Sequence, residues 1–112
     1  MTTPADTPDV IARYFQLDAD RDVDGIAALF TDDAVVVDER ETHHGKDAIR
    51  AWRAGPASRY TYTTEILGTE PERPDRHIVT ARLNGNFPGS TVVLRHDFTL
   101  SGHRIARLVI AP

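Results

Sequence analysis

What most restricts this chain is a change of periodicity at Gly55-Pro56: helical spacing stops there, and only strand-like segments follow. Those segments are Tyr60 to Leu67, Ile78 to Leu83, Ser90 to Leu100 and Arg104 to Ile110, four strand candidates. Ahead of the change, Thr7-Pro8-Asp9 reads as a helix start, with Thr7 as cap and Pro8 in the first helical position. Val10, Ile11, Tyr14, Phe15 and Leu17 then form one apolar stripe, ended by the acidic run Asp18-Ala19-Asp20-Arg21-Asp22. A second, shorter helix is expected behind Asp22 as cap, with Val23, Ile26, Ala27, Leu29 and Phe30 on its apolar side. Thr31-Asp32-Asp33 reads as a turn, Ala34 to Asp38 as a short strand, and Glu39 to Gly45 as a polar loop. Lys46 to Arg53 is expected to be a third helix, with Ala48, Ile49 and Trp52 on one side. Helices early and strands late predict an α+β fold with a largely antiparallel sheet, not βαβ repeats.

Three gaps separate the late strands. Glu70-Pro71-Glu72-Arg73-Pro74-Asp75 is too proline-rich to be read as strand, Asn84 to Gly89 reads as hairpin loop, and Ser101-Gly102 as a tight turn. Alternation then assigns faces. Val92, Leu94, His96, Phe98 and Leu100 share one face, apolar except for the histidine. Val79, Ala81 and Leu83 face the same way, and Asp38 shares a face with Val36 and Ala34. A curved sheet wrapped against three helices encloses a conical interior, which is where a small molecule would sit.

Composition removes several function classes. The 112 residues suffice for one domain, read as 1–112 with a flexible arm over 1–7, and 40% are hydrophobic, enough for one core. The N-terminus lacks the charged and apolar regions of a secretion signal, and no apolar run approaches the ~20 residues of a membrane helix. A cytoplasmic protein without membrane partners is therefore expected. Cysteine is absent, which excludes disulfides, thiolate metal sites and a thiol nucleophile. Net charge is −4, divided as −6 over residues 1–56 and +2 over 57–112. Basic residues spaced along strands make a solvated sheet face, not a phosphate-tracking groove, so no nucleic-acid partner is expected. Adjacent His43-His44 would point apart on a strand, so no metal is expected there. No nucleophile elbow, phosphate loop or dinucleotide fingerprint occurs, and no cofactor is expected.

Tyr14-Phe15, the run Leu29-Phe30-Thr31-Asp32-Asp33-Ala34-Val35, Gly45-Lys46-Asp47-Ala48-Ile49, Gly85-Asn86-Phe87-Pro88-Gly89-Ser90 and Phe98-Thr99-Leu100-Ser101-Gly102-His103-Arg104-Ile105 together carry a resemblance. In this order and spacing they resemble the NTF2-like superfamily, its SnoaL-like branch in particular, over roughly residues 8–110. The resemblance implies a cone-shaped α+β barrel, a pocket at its wide end, and homodimerisation across the outer sheet face. It implies no single activity, since such folds include ketosteroid isomerase, polyketide cyclases, epoxide hydrolases, dehydratases and binding modules. Compared with ketosteroid isomerase, Tyr14 matches the helix-one tyrosine and Asp38 the general-base aspartate. His96 stands where that enzyme carries a protonated acid, with Asp97 one residue off and on the opposite face.

The chemistry of these residues is coherent without the comparison. A carboxylate at the mouth of an apolar cavity is a usable base, a phenol is a neutral donor, and an imidazole gives or takes a proton. Asp38, Tyr14 and His96 are thus the candidate catalytic set, with Phe15, Phe30, Trp52, Leu83, Leu94 and Phe98 as candidate ligand contacts. The expected ligand is a small apolar or amphipathic organic molecule, and the expected chemistry is cofactor-free isomerisation, cyclisation, dehydration or hydrolysis. The competing expectation is a non-catalytic ligand-binding or dimeric interaction module. The bland alternatives are a core tyrosine, a solvated strand-end carboxylate and a packed histidine. Outer-face Ile78, Thr80, Val93 and Thr99 are less polar than a fully wet sheet face and suit a partner sheet.

Overall fold

Helix α1 (Asp9–Ala19) is started by Pro8, whose carbonyl accepts the amides of Ile11 and Ala12 at 3.1 and 3.2 Å. Pro8 is thus the cap residue and not the first helical one, so the helix starts at Asp9, one residue later than expected. Helix α2 (Val23–Ala28) opens as expected on Asp22, whose Oδ1 accepts the Gly25 amide at 2.9 Å. A Cβ at Gly25 would lie 2.6 Å from the Asp22 carboxylate, so a larger residue there would require that side chain to shift. Helix α3 (Lys46–Ala54) follows Gly45, which sits at φ +89°, a conformation that side chains other than glycine resist. The computed structural model describes residues 8–55, 61–86 and 89–112. Thr7 and the arm over 1–7, Pro56, the expected strand start at Tyr60, and Phe87-Pro88 of the hairpin lie outside the described residues.

Six strands follow: β1 (Phe30–Asp38), β2 (Glu41–His44), β3 (Tyr62–Arg73), β4 (Arg76–Gly85), β5 (Thr91–Ser101) and β6 (Arg104–Ala111). They form one sheet in the order β2-β1-β6-β5-β4-β3, antiparallel except for the parallel β1–β6 pair. The α+β class and the mostly antiparallel curved sheet hold, but the sheet is unclosed, with β2 and β3 at its free edges. The third helix enters after two strands, β1 and β2, where one was expected.

Four local expectations need correction. Thr31-Asp32-Asp33 is not a turn but an irregular stretch inside β1, where the register against β6 shifts between Phe30 and Val35. The loop expected from Glu39 to Gly45 contains β2, hairpinned to β1 through Glu39 and Arg40 at φ 52° and 65°. Two positive φ values are what a two-residue hairpin needs to match strand twist, and no glycine advertised it. The proline-rich segment continues β3 to Arg73, with Pro71 paired to His77. A missing N–H is tolerated there because β3 is an edge strand. Finally, the last turn is Gly102-His103, with Gly102 at φ +61° and Ser101 paired to Arg104.

The core lies between the helices and the concave sheet face. Ile11, Tyr14, Ile26, Ile49 and Trp52 from the helices meet Val36, Val79, Phe98 and Leu108 from the sheet, all buried. The expected alternation is therefore correct for β4 and β5. On the convex face, Arg76 holds Asp97 through two bonds, Nε to Oδ1 at 3.0 Å and Nη2 to Oδ2 at 2.7 Å. That pair lines a shallow depression of about 260 Å³ with Arg73, Arg107, Thr99 and Val109.

Candidate functional site

Strand register brings the candidate residues to one surface. Asp38 pairs with Ile110, Ile110 with His96, and His96 with Val79, so one row crosses four strands of the concave face. Asp38 and His96 are two strands apart, about 10 Å between main chains. Asp38 ends β1 half-buried, and its Oδ2 accepts the indole N–H of Trp52 at 3.0 Å. Trp52 is itself buried on α3, so the helix that covers the sheet also aims the carboxylate. One carboxylate oxygen is thereby held, and Oδ1 makes no hydrogen bond among the described residues.

Tyr14 projects from α1 onto the same face. Its ring meets Phe98 edge-on at 5.4 Å, Phe15 at 5.2 Å and Phe30 at 6.5 Å. Burial raises its phenol pKa well above the usual value, with the carboxylate of Asp18, Tyr62 and more weakly Asp38 adding to the rise. The hydroxyl therefore stays protonated and makes no side-chain hydrogen bond among the described residues.

His96 is only 5% exposed, edge-on to Phe15 at 5.1 Å and stacked beside Phe98 at 6.3 Å. Its Nδ1 has no hydrogen-bond partner among the described residues. Burial lowers its pKa to about 4, only partly offset by the main chain of Val79 and Leu94. The imidazole is neutral at physiological pH, so it is no cationic acid. An unfolded histidine, with pKa near 6.5, binds a proton that the folded one refuses between about pH 4 and 6.5. Stability from this group is complete above that window and is lost as pH falls through it, by roughly 3 kcal/mol. Urea unfolding at pH 7 and about pH 4.5 should show this loss in the parent, with His96→Leu removing that share of the slope. An equal slope in both proteins would contradict it.

The candidate ligand contacts divide into two groups. Phe30 and Phe98 have no exposed surface and Trp52 almost none, so these three are packed core beneath Tyr14 and Asp38. Phe15, Leu83 and Leu94 are half-buried on the concave side and present apolar surface there. Across the edge strand, Ile66 continues this surface at 47% exposure. His43 lies beside Trp52, ring centres 6.0 Å apart, while His44 points to the other face. No group of three metal-ligating side chains occurs among the described residues.

Sequence reasoning missed the most polar part of this surface. Arg53 on α3 is 1% exposed, and its Nη2 reaches the Asp18 carboxylate at 2.8 Å, Asp18 being 10% exposed. The same nitrogen also donates to the Asp18 main-chain carbonyl at 3.1 Å. Tyr62 of β3 donates its hydroxyl to Asp18 at 3.2 Å. Burial pushes the Asp18 pKa up against the opposing pull of Arg53, and pushes Tyr62 up to about 12. A signal was present in the periodicity. Asp18 falls seven residues after Ile11 and four after Tyr14, and Arg53 four after Ile49, so opposite charges occupy apolar positions of two helices.

The sequence pattern of the SnoaL-like domain matches residues 11–108 of the chain. No curated protein sequence matches it. Among solved structures, a protein from Sinorhizobium meliloti provisionally described as a polyketide cyclase is 37% identical, with 98% of this chain and 100% of that one covered and a TM-score of 0.89. An epoxide hydrolase/cyclase-like enzyme of pyran ring formation in the polyether salinomycin is 20% identical, with 91% and 86% covered and a TM-score of 0.78. A Mycobacterium tuberculosis protein in complex with estradiol-17β-hemisuccinate is 18% identical, with 92% and 90% covered and a TM-score of 0.78.

Proposed function

This chain belongs to the SnoaL-like domain family of the NTF2-like superfamily, and from that premise we propose that it binds a small amphipathic organic molecule on its concave face and performs cofactor-free acid/base chemistry there. One observation carries the reading: the Asp38 carboxylate stands on an apolar concave face with Oδ2 fixed by Trp52 at 3.0 Å. A base must keep an orientation and an open oxygen, and this arrangement supplies both. Oδ1 takes a proton from the carbon beside a substrate carbonyl, and the electron pair moves onto the carbonyl oxygen. Tyr14 donates a hydrogen bond to that developing oxyanion from a phenol kept neutral by burial. Return of the proton from Asp38 to another carbon completes an isomerisation. The same base acting on water or on a substrate hydroxyl would open an epoxide or close a ring. His96 contributes as a neutral imidazole behind Phe15, shaping the wall and offering a hydrogen bond.

The 37% identity to the Sinorhizobium protein supports cyclase-like chemistry, and the mycobacterial complex indicates that the fold accommodates a steroid-sized ligand. A second reading, a binding module without turnover, is favoured by the low exposure of His96. The test is turnover of a panel of enolisable ketones and epoxides by the parent and by Asp38→Asn. Turnover unaffected by the substitution removes Asp38 from the mechanism. Saturable binding of panel compounds with no turnover selects the binding module.

The proposal extends to a homodimer through the convex face. Ile78 is buried within its own chain and leaves the expected contact set, but Val93 is 42% exposed, paired with Arg82 and flanked on its strand face by Thr91 and Arg95. Light scattering at micromolar concentration is expected to give twice the chain mass for the parent. Val93→Asp should shift that toward one chain mass by placing a charge in the apolar contact of each protomer. A monomeric parent would remove this part.

A further inference from the structure

The Tyr62 hydroxyl hydrogen is committed: it points to Asp18, 3.2 Å from one carboxylate oxygen and 3.4 Å from the other. Asp18 is held in place by the buried Arg53 at 2.8 Å, and a guanidinium has donors only, so this chain of bonds runs in one direction. A phenol whose hydrogen is committed presents only its oxygen lone pairs to anything else. This corner of the concave face therefore offers an acceptor. Tyr14 stands four residues before Asp18 on the same inward side of α1, about 6 Å along the axis. Its hydroxyl makes no side-chain hydrogen bond among the described residues and keeps a donor to give. Two tyrosines of opposite hydrogen-bond polarity thus border the apolar surface of Phe15, Leu83 and Leu94.

We infer that Tyr62, oriented by Asp18 and Arg53, forms a second polar subsite that selects ligands carrying a hydroxyl donor apart from the carbonyl or epoxide oxygen that Tyr14 meets. The inference rests on the small-molecule reading above and adds a substrate class to it: hydroxylated carbonyl or epoxide compounds, not simple ketones. Both phenols stay protonated at physiological pH, so the two polarities persist there. Asp18 and Arg53 act as positioning residues for Tyr62.

A matched pair of fluorescent probes tests this: a hydroxynaphthyl methyl ketone and its O-methyl ether, which differ only in the donor hydrogen and the methyl group that replaces it. The parent should bind the hydroxyl compound about tenfold more tightly than the ether. Tyr62→Phe should bring that ratio close to one while its affinity for the ether stays within about twofold, which also verifies that the variant is folded. Equal binding of both probes by the parent overturns the subsite and leaves the small-molecule reading standing. A preference that persists in Tyr62→Phe marks steric exclusion of the methyl group and also overturns it. Failure of the parent to bind either probe overturns the small-molecule reading and the subsite with it.

Discussion

Asp18→Ala is expected to lower the free energy of unfolding by about 3–5 kcal/mol, a large share of a small domain's total. The reason lies in what stays behind. Arg53 would remain buried at 1% exposure, still bonded to the main-chain carbonyl of residue 18 but deprived of the carboxylate at 2.8 Å. Tyr62 would lose its acceptor in the same step. The pair itself contributes far less than this figure, because both ions were desolvated to form it. The upward pull of burial on the Asp18 pKa, in spite of Arg53 beside it, points the same way. A double substitution, Asp18→Leu with Arg53→Met, is therefore expected to recover most of the loss, ending within about 1–2 kcal/mol of the parent. Urea unfolding of Asp18→Ala, Asp18→Leu, Arg53→Met and the double variant measures this directly. Additive losses in the double variant would show that the pair is not coupled as described.

Asp38→Asn is expected to reduce kcat/KM by about 10²- to 10⁴-fold on any compound that the parent turns over. Asparagine keeps the side-chain shape and an oxygen that can accept the Trp52 indole N–H, but an amide cannot take up the substrate proton. Stability should consequently change by only about 1 kcal/mol. Ligand affinity, measured by titration with a compound that binds reversibly, should change much less than turnover. A loss confined to KM would place Asp38 in binding, not in proton transfer.

The order of elements was legible because it depends on local periodicity. The stripe of Ile11 and Tyr14, the Asp22 cap and the apolar alternation of Leu94, His96 and Phe98 all have causes within a few residues. The errors share a different origin. Pro71 reads as a strand breaker unless its strand is known to be at an edge, and edge position is a property of the whole sheet. Strand β2 has only four residues, and its partner β1 defines it more than its own sequence does. Among the candidate residues, Tyr14, Asp38 and His96 could be assigned to one face by alternation and helical phase. Their burial could not be, and burial makes His96 neutral and puts Phe30 and Phe98 wholly inside the core.

By itself the sequence determined the α+β class, the inward faces of helices and strands, and the types of side chain available for chemistry, carboxylate, phenol and imidazole without a thiol. Tertiary structure alone decided which of these meet. Trp52 reaches Asp38 across 14 residues, Arg53 reaches Asp18 across 35, and Tyr62 reaches Asp18 across 44. No local pattern encodes such separations. They arise when α1, α3 and β3 pack on one sheet, and packing then removes water from the groups it brings together. Desolvation sets the protonation state of His96, and the Asp18 carboxylate sets the direction of the Tyr62 hydroxyl, so the polarity of the candidate site exists only in the folded chain.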